Sequence, residues 1–74
     1  MNSWSYVYDE NKNLLSKYFN LKSFNGRCFI RLCTMSKGDI AFQLSSNEIG
    51  FHSVLVNTKT VNDIQTDFPF VEIQ

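Results

Sequence analysis

Few residues in this chain can do covalent chemistry. There is one histidine, His52, beside Ser53, and there are two cysteines, Cys28 and Cys33. A serine or cysteine hydrolase needs a nucleophile next to an imidazole that takes its proton, with a third group orienting the ring. His52 and Ser53 fall in a run with the alternation of a strand, where neighbours point to opposite faces. They cannot form that couple in regular backbone. A couple of His52 with Cys33 would have to form across a sheet, and no acidic residue is placed to orient the imidazole. The chain therefore reads as non-catalytic, with His52 a surface or half-buried strand residue.

The cysteines lie in one strand-like run, 27–35. Five positions apart, they point to opposite faces, with backbones ~17 Å apart at ~3.3 Å per residue, far beyond the ~7 Å reach of a disulfide. They are expected as reduced thiols acting as small apolar residues, as in a reducing compartment. C-x4-C with a single histidine does not complete a zinc shell. Asp63 and Asp67 are one helical turn apart, with Lys59 a turn before, but two carboxylates are too few for a hard cation and read as a solvated acidic face. No two of the three glycines are close enough for a phosphate loop or a dinucleotide-binding turn. No metal and no cofactor is expected.

The elements that would position these residues follow from turn signals and periodicity. Gly26, Gly38 and Gly50 recur at twelve-residue intervals inside polar clusters at 23–26, 36–39 and 45–50, a pitch that brackets strands. If Ser36, Lys37 and Gly38 form a three-residue loop with Gly38 left-handed, Met35 closes on Asp39. Thr34 then faces Ile40, Leu32 faces Phe42 and Ile30 faces Leu44 on an apolar side. Cys33 with Ala41, Arg31 with Gln43 and Phe29 with Ser45 make the other side. A two-residue loop would set Arg31 opposite Leu44 and scramble that sorting. The run 51–57 follows as the third strand of a meander over about 27–57.

Trp4, Tyr6 and Tyr8 alternate with Ser5 and Val7 as in a strand. Leu14, Leu15, Tyr18 and Phe19, with Leu21 at the edge, mark one face of a longer helix over about 10–22 that Asp9 can cap. A shorter helix is expected over about 60–67, with Thr60 and Asp63 as a capping box, Val61, Ile64 and Phe68 on one face and Pro69 as its stop. A terminal strand over 70–74 carries Val71 and Ile73. The fold class is α+β: a small antiparallel sheet of four to five strands with two helices. A small five-stranded β-barrel is the alternative if the first helix is instead a strand.

Seventy-four residues with 43% apolar content describe one folded domain, 1–74, rather than a disordered chain. Residues 1–9 hold no Lys or Arg and no apolar run of signal-peptide length. The longest charge-free run, 49–58, falls short of the ~20 apolar residues of a spanning helix. A cytoplasmic location without membrane attachment is expected. Lys plus Arg and Asp plus Glu are 7 each, so bulk charge draws the chain to neither nucleic acid nor an anionic membrane. By position the charge is uneven. Residues 1–37 hold Lys12, Lys17, Lys22, Arg27, Arg31 and Lys37 against Asp9 and Glu10, while 38–74 hold Lys59 against Asp39, Glu48, Asp63, Asp67 and Glu72. Folding either preserves a basic and an acidic side or intermixes them.

What remains is binding. Aromatic side chains are in excess, and the row Trp4, Tyr6 and Tyr8 is expected first as a buried sheet face; if it is exposed it supplies interface anchors, since Trp and Tyr bring area at little entropic cost. The leading expectation is a non-catalytic protein-binding module, an inhibitor, adaptor or subunit of one protein partner, contacting it through Trp4, Tyr6, Tyr8, Lys17 and Arg31. The 28 Asn, Lys, Ile, Phe and Tyr residues favour A/T-rich codons. A short chain with that bias, beginning at its own Met1, suits an antagonist of a host enzyme encoded by a virus, phage or mobile element. Edge strands at 3–8 and 70–74 offer a route to a homodimer. The alternative is a nucleic-acid-binding module using Lys12, Lys17, Lys22, Arg27 and Arg31, with Tyr6, Tyr8 or Phe29 stacking on bases.

Overall fold

The structure, a computed structural model, describes residues 3–22 and 24–74. Met1 and Ser23, on which parts of the amino-terminal and first-turn expectations fall, lie outside the described residues. The elements are β1 (Ser5–Tyr6), a 3₁₀ helix (Asp9–Lys17), β2 (Cys28–Thr34), β3 (Ile40–Ser46), β4 (Gly50–Val56) and α1 (Thr58–Asp67). The strands form one antiparallel sheet in the order β1-β2-β3-β4. The class is therefore α+β.

The β2–β3 hairpin has the register that its residue sorting predicts: Thr34 faces Ile40, Leu32 faces Phe42, Ile30 faces Leu44 and Arg31 faces Gln43. Gly38 makes the turn possible. Its φ is +89°, its N–H donates to the Met35 carbonyl at 2.9 Å, and the Met35 N–H donates to the Asp39 carbonyl at 2.6 Å. β4 adds to β3 through a second turn that ends on Gly50, with φ +83°.

The even-numbered side chains of β2 to β4 face the helices. Cys28, Ile30, Leu32, Phe42 and Leu44 are buried there in one cluster with Leu15 and Phe19, with Val61 and Ile64 of α1, and with Phe68 just beyond its end. Phe42 is the hub of this core. Its ring meets those of Phe19 at 5.0 Å, Tyr18 at 5.4 Å and Phe68 at 6.1 Å. Such aromatic pairs add to simple area burial.

Several expected details differ. The helix expected over 10–22 is a 3₁₀ helix of nine residues, shorter than the ten-residue α1. Its first turn lacks a side-chain cap: Tyr8 occupies the N-cap, and Asp9 pairs with Lys12 at 3.1 Å instead. Asn11, Asn13 and Ser16 are poor α-formers whose side chains compete for backbone partners, and the Ser16 hydroxyl does donate to the Asn13 carbonyl at 2.9 Å. After Lys17, the N–H groups of Tyr18 and Phe19 both donate to the Leu15 carbonyl, and the chain turns away. The apolar stripe is nonetheless used, because Leu15 and Phe19 are buried while Leu14, Tyr18 and Leu21 rest against the core.

α1 starts two residues before the expected Thr60. Asn57 leaves β4 with extended backbone, and its Oδ1 accepts the Thr60 N–H at 2.8 Å, so Asn57 is the cap. The expected terminal strand over 70–74 is a single parallel bridge of Ile73 to Leu32. Thr34 N–H donates to the Gln74 carbonyl at 2.7 Å and Gln74 N–H to the Leu32 carbonyl at 2.9 Å. Pro69 has no N–H to offer a ladder, and β1 already occupies the neighbouring stretch of β2. β1 in turn is two residues long, extended only by the Val7 N–H donating to the Cys28 carbonyl at 3.0 Å. The sheet is open, so the barrel alternative does not hold. Among the described residues no helix is long and apolar enough to cross a membrane.

Candidate functional site

The odd-numbered residues of β2 to β4 form the other face of the sheet, which neither helix covers. Ser5 faces Ile30 and Tyr6 faces Phe29, so in β1 the parity is reversed and Tyr6 stands on this open face. Trp4 and Tyr8 flank it at the spacing that keeps them on the same side. The row Trp4, Tyr6 and Tyr8 is thus not core, and Tyr6 and Tyr8 are 39% and 58% exposed.

The row continues across the sheet. Tyr6 meets Tyr8 edge-on at 5.7 Å and Phe29 at 5.6 Å, while Tyr8 leans to Phe70 at 6.1 Å. Trp4 reaches inward until its ring lies 6.4 Å from that of Phe51 on β4. Ser45, between Phe29 and Phe51 in the register, is too small to block it. The result is a shallow hollow of about 230 Å³ lined by Trp4, Phe29 and Ser45.

One cation lies within this aromatic surface. The Arg31 guanidinium sits 4.2 Å from the centre of the Trp4 ring, a cation–π contact. Its Nε donates to Gln43 Oε1 at 2.7 Å, and Gln43 Nε2 donates to Ser53 Oγ at 3.4 Å. This polar row runs across β2, β3 and β4 and satisfies Gln43, which is buried. Arg carries five N–H donors, so Arg31 retains donors for a ligand. No Asp or Glu occurs at an odd position of β2, β3 or β4.

The structure gathers Trp4, Tyr6, Tyr8 and Arg31 on this face. Lys17 does not join them. Its Nζ lies 3.1 Å from Asp67 Oδ2, on the helix side of the sheet. Lys12 donates to the Gly26 carbonyl at 2.7 Å and lies over the Phe24 ring. Lys22 shares a separate hollow with Lys12, Asn13, Ser16, Leu21 and Phe24. Arg27 is exposed just before β2. The pairing of Lys17 with Asp67 also joins the basic first half of the chain to its acidic second half, so folding intermixes the two charges there.

His52 and Cys33 lie on opposite faces, since His52 faces Leu44 and Cys33 faces Ala41. The His52 ring nitrogen Nε2 is 3.0 Å from the Ile49 carbonyl, and Phe19 meets the ring edge-on. Both cysteines are free thiols. Cys28 is buried, which pushes its thiol pKa up to about 11 against an opposing pull from Lys12.

A second polar cluster joins the helices. Tyr18 and Lys17 converge on Asp67 at the rim of a hollow that Asp63 also lines. The Tyr18 hydrogen bond, and then the hydrogen bond and charge of Lys17, hold the Asp67 carboxyl below its ordinary range, although burial opposes them. Burial, followed by the hydrogen bond and charge of Asp67, pushes the Tyr18 hydroxyl far above its ordinary value. Asp67 is thus committed to two internal partners.

Gln43, on the side the hairpin register assigns it, and Phe51, Ser53 and Leu55 complete the open face; of these, Phe51 and Leu55 are not singled out as contact residues by the sequence. The signal was present in the register, because pairing Phe51 with Ser45 places it on the same side as Phe29. Comparison with protein-family models, with curated proteins and with solved structures gives no match.

Proposed function

We propose that the chain is a non-catalytic protein-binding module, acting as an inhibitor, adaptor or subunit, and that its partner docks on the open face of the sheet. The observation that carries this reading is the aromatic surface of Trp4, Tyr6, Tyr8, Phe29 and Phe51 around Arg31, on the side of the sheet opposite the core. Rings supported edge-on by one another lose little freedom on binding, which favours them as anchors. The hollow beside Trp4 is smaller than the ~300 Å³ lower bound of ordinary small-molecule sites and suits one apolar side chain of a partner. The spare Arg31 donors suit a carboxylate next to it. The narrower reading, an antagonist of a host enzyme encoded by a virus or mobile element and acting in the cytoplasm, rests on composition alone.

The nucleic-acid reading draws less support, because Arg31 is the one basic side chain among these aromatics and stacking platforms work with a positively charged groove. Affinity capture of tagged protein at moderate salt, with and without nuclease, separates the two. The expected result is one stoichiometric protein that survives nuclease and is lost from Tyr8→Ala and Trp4→Ala variants with unchanged thermal melts. Recovery of nucleic acid, or equal capture by both variants, would overturn the proposal.

A further inference from the structure

The two edges of the sheet are finished differently. On the β1 side the edge is short and occupied, with Gln74 taking the Thr34 N–H and supplying its own N–H to Leu32. The β4 edge spans seven residues, Gly50–Val56. It lacks two devices that usually protect an edge: there is no charge anywhere in 49–58 and no proline. Among the described residues no backbone hydrogen bond reaches β4 from outside its ladder with β3.

Hydrogen-bond parity shows which groups point outward. Thr34 N–H and the Leu32 carbonyl are directed at Gln74, away from β3. In an antiparallel ladder, bonding direction alternates by residue. Phe29, Arg31 and Cys33 therefore bond to Ser45, Gln43 and Ala41, and the even residues of β3 bond to their even partners on β4. That leaves the N–H and C=O groups of Phe51, Ser53 and Leu55 directed outward.

We propose that this edge pairs with the same strand of a second copy, antiparallel about a two-fold axis at Ser53, to form one continuous eight-stranded sheet. In that register Ser53 faces itself and Phe51 faces Leu55 of the other copy, twice. Every outward N–H and C=O within the strand then finds a partner. Phe51 and Leu55, 59% and 69% exposed in the single chain, would cover one another as cross-strand pairs. A two-fold centred on residue 52 or 54 instead sets Phe51 or Leu55 against Ser53. With no charge on the strand, self-pairing meets no like-charge repulsion. The antiparallel arrangement also brings the Glu48 end of each strand alongside the Lys59 end of the other. The core faces stay on one side and the two aromatic faces join on the other, independently of what docks there.

The test is sedimentation equilibrium of the full chain from micromolar to near-millimolar concentration. A monomer–dimer equilibrium is expected. Leu55→Lys, at an exposed position, and Ser53→Pro, which deletes one outward N–H per copy while leaving the backbone ladder to β3 but also removes the hydroxyl that accepts from Gln43 Nε2, should each weaken association about tenfold or more. Leu55→Lys should leave the low-concentration thermal melt unchanged, so its effect is not one of folding. A chain that is monomeric throughout, a dimer indifferent to both substitutions, or open-ended polymers in place of a closed dimer would each overturn the proposal.

Discussion

The Tyr18 hydroxyl donates to Asp67 Oδ2 at 2.6 Å, and the same oxygen receives the Lys17 ammonium at 3.1 Å. These contacts join the end of the 3₁₀ helix to the last turn of α1 across fifty residues of chain. The Tyr18 ring meanwhile lies edge-on to Phe42. One side chain thus connects both helical segments to the hub of the core.

Stability should depend on pH at both ends of the scale. The folded pKa of Asp67 lies below its ordinary 3.8, so its contribution is complete above that value and is lost as pH falls through the lowered pKa. Tyr18 is raised above its ordinary 10.0, so its contribution is complete below 10.0 and is lost as pH rises beyond it. Cys28, raised from 9.0 to about 11, acts in the same alkaline direction. Tyr18→Phe removes a hydrogen bond to a charged group, for an expected cost of about 1.5–3 kcal/mol at neutral pH, and reduces both slopes. Denaturant midpoints across pH measure this, and superimposable profiles for the two proteins would refute it.

The two thiols should differ in reactivity. Cys28 is fully buried with a raised pKa, whereas Cys33 is half-buried on the open face. Because the thiolate is the nucleophile, a disulfide reagent at pH 8 should label Cys33 first and reach Cys28 only after denaturation. Mass spectrometry of the labelled peptides checks the order.

The caps of α1 should separate on mutation. Asn57→Ala removes the acceptor of the Thr60 N–H and should cost about 1 kcal/mol. Asp63→Ala should cost under about 0.5 kcal/mol, because the capping box expected between Thr60 and Asp63 does not form. Comparable losses in urea melts would count against this assignment.

Gly38→Ala tests the hairpin turn. A methyl group there would meet nothing within 4 Å, so space is not limiting, but φ is +89°. The expected cost is about 1 kcal/mol from backbone strain alone, and Gly38→Asn should recover part of it. A neutral Gly38→Ala would mean that the turn relaxes to another type.

The meander was legible because residue type sorts by face. Arg31 and Gln43 have to share a side that excludes Leu32 and Phe42, and a single loop length satisfies that. The first helix was legible as a stripe but not as a helix type, since Leu15 and Phe19 can be buried from either geometry and Asn11, Asn13 and Ser16 decide between them. The terminal strand failed for a tertiary reason: β1 and Gln74 share one edge of β2, leaving room for a single bridge. Of the face residues, Arg31 was placed by the hairpin register, and Trp4, Tyr6 and Tyr8 were legible as one row but not as an exposed one, because alternation alone does not say which side of a sheet the core takes. The place of Lys17 was not legible, because its partner Asp67 lies fifty positions away. Phe51 needed the β3–β4 register before it could be placed.

The strict parity of the meander has an evolutionary consequence. Even-numbered positions from β2 to β4 meet one another and the helices, so a change there must be matched by its neighbours to keep the interior filled. Apart from the Arg31–Gln43–Ser53 row and the buried Ala41, odd-numbered positions carry little of the fold. Drift at Phe29, Ser45, Phe51 and Leu55 can therefore rewrite the contact surface one residue at a time, on a scaffold whose interior remains fixed.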